Sequence, residues 1–155
     1  MWNDAEVNQA RRRAVVAALV ELAASADYRD RADAGRALAS FAQAPESRDP
    51  LLRLVLDVGN TFVTLVTAEA LLRRHDNAGV AIVAEALATG DFQHGSYIYE
   101  AASTVFMVFA RERDQAVEIC EALSRDGSAR VRQGAAELGA MLAEMQPLLY
   151  PKEQG

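Results

Sequence analysis

Pairs of small residues recur along this chain at a nearly constant interval. Ala34-Gly35, Thr67-Ala68, Ala101-Ala102 and Ala135-Ala136 follow one another at spacings of 33, 34 and 34 residues. An interval of that length is one supersecondary unit. Such a unit cannot hide its apolar face alone and stacks on copies of itself. The flanking columns agree. Four residues after the first small position stand Leu38, Leu71, Val105 and Gly139, and four before it stand Asp30, Val63, Tyr97 and Val131. Apolar residues every three or four positions mark one face of an amphipathic helix. Seven before the pair stand Asp27, Asn60, His94 and Ser128. Asp, Asn and Ser carry a short side-chain oxygen that accepts from the free amides of a first helical turn. In the third unit Ser96 is an alternative cap to His94. We term these four segments A helices. Within them the column Gly35, Ala68, Ala102 and Ala136 is where a neighbouring helix is expected to come close.

Second helices, the B helices, fit between them. Pro50 suits a first helical position with Asp49 as its cap. Asp76 or Asn77 suits the next start, and Asp114 the one after. Aligning Leu56, Leu87 and Leu123 puts Leu52, Val83 and Ile119 four residues earlier. A leading helix from about Asn3 to Ala24 fits the same column through Leu22 and Ala18, and Asn3 with Glu6 can form a capping box. Apolar-polar alternation with β-branched enrichment persists nowhere, so no strand is expected. The expected fold is all-α: an α-α superhelix, a short α-solenoid of about eight helices. It comprises a B-type helix, three A-B pairs and a final A-type helix within residues 1–146. Pro147 and Pro151 end the last helix, leaving 147–155 as a tail that frays beyond Pro151.

Composition narrows the function classes. A chain of 155 residues, 51% hydrophobic, suits one soluble domain with a substantial core. No apolar run reaches the roughly 18 residues of a membrane span. The basic triplet Arg11-Arg12-Arg13 lies inside a helical pattern rather than ahead of an apolar segment, so no signal peptide is expected. The single Cys120 cannot close an internal disulfide, which agrees with a reducing, cytoplasmic compartment. Positive charge is almost all arginine, as a GC-rich bacterial genome encodes, with Lys152 the lone lysine. The net charge of −6 argues against nucleic acid as main partner and mildly favours basic ones.

The A segments, most strongly Ala129–Leu142, resemble HEAT repeats, including the variety named after phycobilisome lyases. Asp126, Val131, Arg132, Ala135 and Ala136 match the family pattern of a turn Asp, then Val-Arg, then a small pair. Arg31 matches the arginine of the first repeat. Thr64 and Ile98 depart from it, so any ladder of Asp and Arg between repeats breaks in the middle. The resemblance implies a protein-binding scaffold whose B helices line the concave face, although lyase and DNA glycosylase members exist.

The B-helix side opposite the leucine columns is the candidate partner surface. It runs from Ala17, Val20 and Ala24 through Leu51, Leu54 and Val58 to Ile82, Glu85 and Thr89, and ends at Glu118, Glu121 and Arg125. The row is apolar at its N-terminal end and acidic at its C-terminal end. Two readings stand open. Leu51, Leu54 and Ile82 pack against loops or neighbouring helices, or they form with Val20 a stripe covered by a partner, a second copy or the segment bearing Trp2. Phe92, Tyr97, Tyr99, Phe106 and Phe109, with Met107, are expected mainly in the core, Tyr99 being the most exposed. Chemistry is sparse. His75 and His94 can pair with Asp76 and Asp91, but no Ser or Cys stands by to be activated. One cysteine and two distant histidines make no zinc spacing. Cys120 reads as a packing thiol. Gly90 and Gly95 flank a turn and form no phosphate loop. No catalytic residue, metal or cofactor is assigned. The expected function is a non-catalytic interaction module: an adaptor, or an inhibitor such as an immunity protein against a basic toxin. The partner residues are Val20, Leu51, Leu54, Ile82, Glu85, Glu118 and Glu121, binding a protein or a second copy, with no nucleic acid and no membrane. The alternative is an enzyme of the lyase or base-excision kind on the same scaffold.

Overall fold

The computed structural model describes Met1 and residues 3–152, and all regular structure in it is helical. The eight α-helices are α1 (Asp4–Ala23), α2 (Tyr28–Leu38), α3 (Pro45–Val55), α4 (Thr61–Leu72), α5 (Asn77–Thr89), α6 (Phe92–Phe106), α7 (Ala110–Leu123) and α8 (Ala129–Glu144). A short 3₁₀ turn, Ala39–Phe41, follows α2. No helix is long and apolar enough to cross a membrane.

Helix starts follow short polar side chains. The Asn3 side chain accepts from Glu6 N at 2.8 Å, and Glu6 accepts from Asn3 N in return. Asp27, Asn60, Asp76 and Ser128 cap α2, α4, α5 and α8. Three starts differ from the sequence expectation. Asp91, not Ser96 or His94, caps α6, because its extended backbone lets Oδ1 reach His94 N. The α7 helix begins at Ala110, ahead of Asp114, since the Ala110 amide is taken by Leu149 O rather than by a side-chain cap. Helix α3 begins at Pro45, and Pro50 lies inside it.

The helices form two layers. In one, α2, α4 and α6 lie side by side, and Gly35 meets Thr67 so closely that a Cβ would overlap Thr67 Oγ1. The other layer holds the B helices α1, α3, α5 and α7. Helix α8 leaves the register. It packs along α5 and α7, with little contact to α6. Gly134 lies on the backbone of Ala84, where any side chain would collide. The buried small pair of α8 is therefore Gly134-Ala135, and Ala136, expected at the close approach, faces solvent. Covered by α8, α5 is buried from Gly79 to Leu87 except at Glu85.

The segment after α8 is not a detached tail up to Tyr150. Leu148 N and Leu149 N donate to Met107 O and Val108 O, at 2.9 and 2.8 Å. Arg113 Nη1 donates to Met145 O at 2.6 Å. Met145 and Pro147 are buried. The expectations for Trp2 and for residues 153–155 lie outside the described residues.

Candidate partner-binding face

A few arginines hold successive repeats together. The Arg31 guanidinium donates to both carboxylate oxygens of Asp57 at 2.8 and 3.1 Å, and to Ser25 O and Ala26 O. Asp57 Oδ2 in turn accepts from Gly59 N and Asn60 N ahead of α4. Arg132 repeats half of this device, donating to Asp126 O and Gly127 O. One repeat after Arg31, at Thr64, no arginine exists to reach Asp91. The Thr64 hydroxyl is buried without a partner. A polar hollow of about 400 Å³ opens there, bordered by Asp57, Thr64, Asp91 and His94. His94 Nε2 lies 3.0 Å from Asp57 O. Its Nδ1 lies 2.8 Å from Asp91 Oδ1 without meeting hydrogen-bond geometry. The His94 backbone amide lowers the pKa of the exposed Asp91 carboxyl. The His94 contact ties the start of α6 to the turn between α3 and α4.

His75 does not pair with Asp76. Its φ of 54° ends α4, and its ring stands edge-on to Phe106 at 5.8 Å. Asp76 instead binds Arg74 and caps Gly79. Cys120 is buried, and desolvation with the charge of Glu121 pushes its thiol up to about 11. No group of three or more metal-ligating side chains exists among the described residues.

The expected apolar stripe is not open. Leu51, Leu54 and Ile82 are 0%, 3% and 1% exposed. Helix α3 buries a different face from the one that alignment on the terminal leucines picked. With the helix running from Pro45, its buried stripe is Ser47, Pro50, Leu51, Leu54 and Val55, an i, i+3, i+4, i+7, i+8 series. Leu52 and Leu56, placed in the core by alignment on the terminal leucines, are only half-buried. Ile82 is enclosed because α5 is covered by α8 and flanked by α3. Glu85 is not free to meet a partner, since it accepts from Arg48 Nη2 of α3 at 2.6 Å. Glu118 and Glu121 are exposed on α7, and neither makes an ion pair among the described residues.

Val20 is the apolar member that stays accessible. Helix α1 has one buried residue, Val16. Between α1 and the start of α3 lies a cleft of about 650 Å³, floored by Val16, Ala17 and Val20 against Ala44 and Pro45. A smaller cleft of about 290 Å³ continues from Val20 and Ala24 to Pro50, Arg53 and Leu54. Of the seven candidate residues, only Val20 and Leu54 border one hollow.

The aromatic cluster is a further correction. Phe106 alone is fully buried, while Phe92 is 91% exposed and Tyr99 and Phe109 are about half exposed. Phe92 is the first residue of α6. The exposed Leu148 and Leu149 of the C-terminal strap, and Val108 of the loop they pair with, carried no helical periodicity and escaped sequence reasoning.

No family model matches the chain, and no curated protein matches it. Among solved structures, the crystal structure of an engineered protein is similar over 95% of this chain and 70% of its own. The identity is 19% and the TM-score 0.40.

Proposed function

We propose that this chain is a non-catalytic protein-protein interaction module of HEAT-like kind, docking a partner on its B-helix face. The observation that carries the proposal is the open seam between α1 and α3, an apolar-floored groove. A soluble helix leaves such a surface bare at a cost of roughly 25 cal/mol per Å² of apolar area, which a partner recovers. An adaptor or an inhibitor of immunity type in a bacterial cytoplasm fits this design, as does self-association. Glu118 and Glu121 supply a second, acidic contact at the far end of the layer for a basic region of the partner. The test compares partner capture by the intact chain and by Val20→Asp. Because Val20 is only half-buried, the melting temperature should move little while capture falls at least tenfold. Equal capture by both would end the proposal.

A further inference from the structure

The seam also specifies what fills it, an inference that rests on the protein-binding function proposed above. The fold itself offers the comparison. Two pairs of neighbouring B helices, α1 with α3 and α5 with α7, touch only over a short stretch. Between α5 and α7 the gap is occupied by α8, which packs extensively on both and brings Gly134 onto Ala84. Between α1 and α3 the same kind of gap holds no helix. Its floor is again small and apolar: Ala17 and Ala24 flank Val20. From Gln9 to Ala24 the groove follows about four turns of α1, or roughly 22 Å, the length of a helix of some 15 residues. Electrostatics select the occupant. The chain carries a net charge of −6, yet Arg12 and Arg13 border the large cleft and Arg53 the small one. None of the three makes an ion pair among the described residues. Glu46 borders the same cleft and makes no ion pair with either arginine among the described residues. Arg53 Nε reaches only the backbone oxygen of Asp49, at 3.4 Å.

We infer that the α1–α3 seam receives an amphipathic helix of a partner protein whose apolar stripe is flanked by carboxylates. The stripe lies on Ala17 and Val20, and the carboxylates meet Arg12, Arg13 and Arg53. Helix-in-groove recognition of this sort reads anchors at i, i+3 and i+7. Opposite charges at the rim set partner choice and on-rate.

The test uses two stapled, fluorescein-labelled 16-residue helices with identical leucine stripes, one flanked by Glu and one by Lys. Fluorescence anisotropy with the full chain should give at least tenfold tighter binding for the Glu helix, weakening as salt rises from 50 to 200 mM. The double variant R12E/R13E changes exposed side chains, so its melt should match the parent, and it should reverse the preference. Equal affinity for the two helices, or a Glu preference that survives R12E/R13E, overturns the inference. If Val20-dependent partner capture persists in that case, the interaction module stands and only the acidic helix falls. Sedimentation of the chain alone supplies the last arm. A dimer dissolved by R12E/R13E would make the occupant a second copy and overturn the assignment to a partner helix.

Discussion

Helices α1 and α5 belong to one layer and share an alanine- and valine-rich composition, but their fates differ. Of the 20 residues of α1, Val16 alone is buried, whereas α5 buries eight of its 13. Composition accounts for part of the contrast, since α1 carries six charged residues and α5 only Glu85. Neighbours account for the rest: α5 has α3 on one side, α4 beneath and α8 across it, while α1 rests on α2 and touches α3 over a short stretch. An alanine-rich helix is buried or bare according to whether a further helix can approach closely, and a single glycine, Gly134, permits the approach at α5.

Leu54 stands where the two regions meet, since it borders the seam and yet is buried among Ala32, Val63 and Val66. Leu54→Asp should therefore destabilise the fold by about 4 kcal/mol, the cost of an unpaired charge in an apolar site. A retained melting temperature would assign Leu54 to the open region instead. Gly134→Val should cost about 3 kcal/mol, or on the order of 10 °C in Tm, by prising α8 from α5. The same change at Gly127, which has open space around it, should stay within about 0.5 kcal/mol. Calorimetry of the two variants measures the dense region directly.

The small-residue column gives a sharper contrast. Ala102→Leu in α6 should cost about 1–3 kcal/mol through overpacking. Ala136→Leu, one repeat on, should be nearly neutral because α8 has turned that residue outward. Equal losses would restore the regular register and remove the explanation for the burial of α5. The effect expected at Cys120 depends on pH. Burial holds its folded pKa at about 11, above the 9.0 of an open thiol. Between those values the unfolded chain binds fewer protons than the folded one. Its contribution is therefore full below pH 9 and falls through that window by about 1–2 kcal/mol. Cys120→Ala should flatten that part of the stability profile, measured by urea titration at stepped pH.

Local chemistry was readable from the sequence. Asp27, Asn60, Asp76 and Ser128 cap helices because a short oxygen beside free amides behaves alike in any fold. The pairs Ala34-Gly35, Thr67-Ala68 and Ala101-Ala102 are buried where the repeat places them. What failed depended on distant partners. Pro50 carries the local signature of a helix start, but Pro45 carries it too, and the neighbours that enclose Leu51 and Leu54 lie far off in sequence. Residues 128–142 match the repeat as well as any segment. Nothing local records that Gly134 finds Ala84 rather than a partner in α6. Of the candidate site, Val20, Glu118 and Glu121 keep accessible positions, whereas Leu51, Leu54 and Ile82 belong to the core.

The strap that joins Leu148 and Leu149 to Met107 and Val108 alters the topology of cooperativity. In a linear array each repeat touches only its neighbours, and unfolding can start at either end and travel inward. The strap links positions roughly 40 residues apart and encloses α7 and α8 in a closed loop, whose entropy of closure grows only slowly with its length. Neither helix can then peel away singly. Hydrogen exchange should find α7 and α8 opening as one unit, with α1 exchanging earliest, so that the stack unzips in one direction.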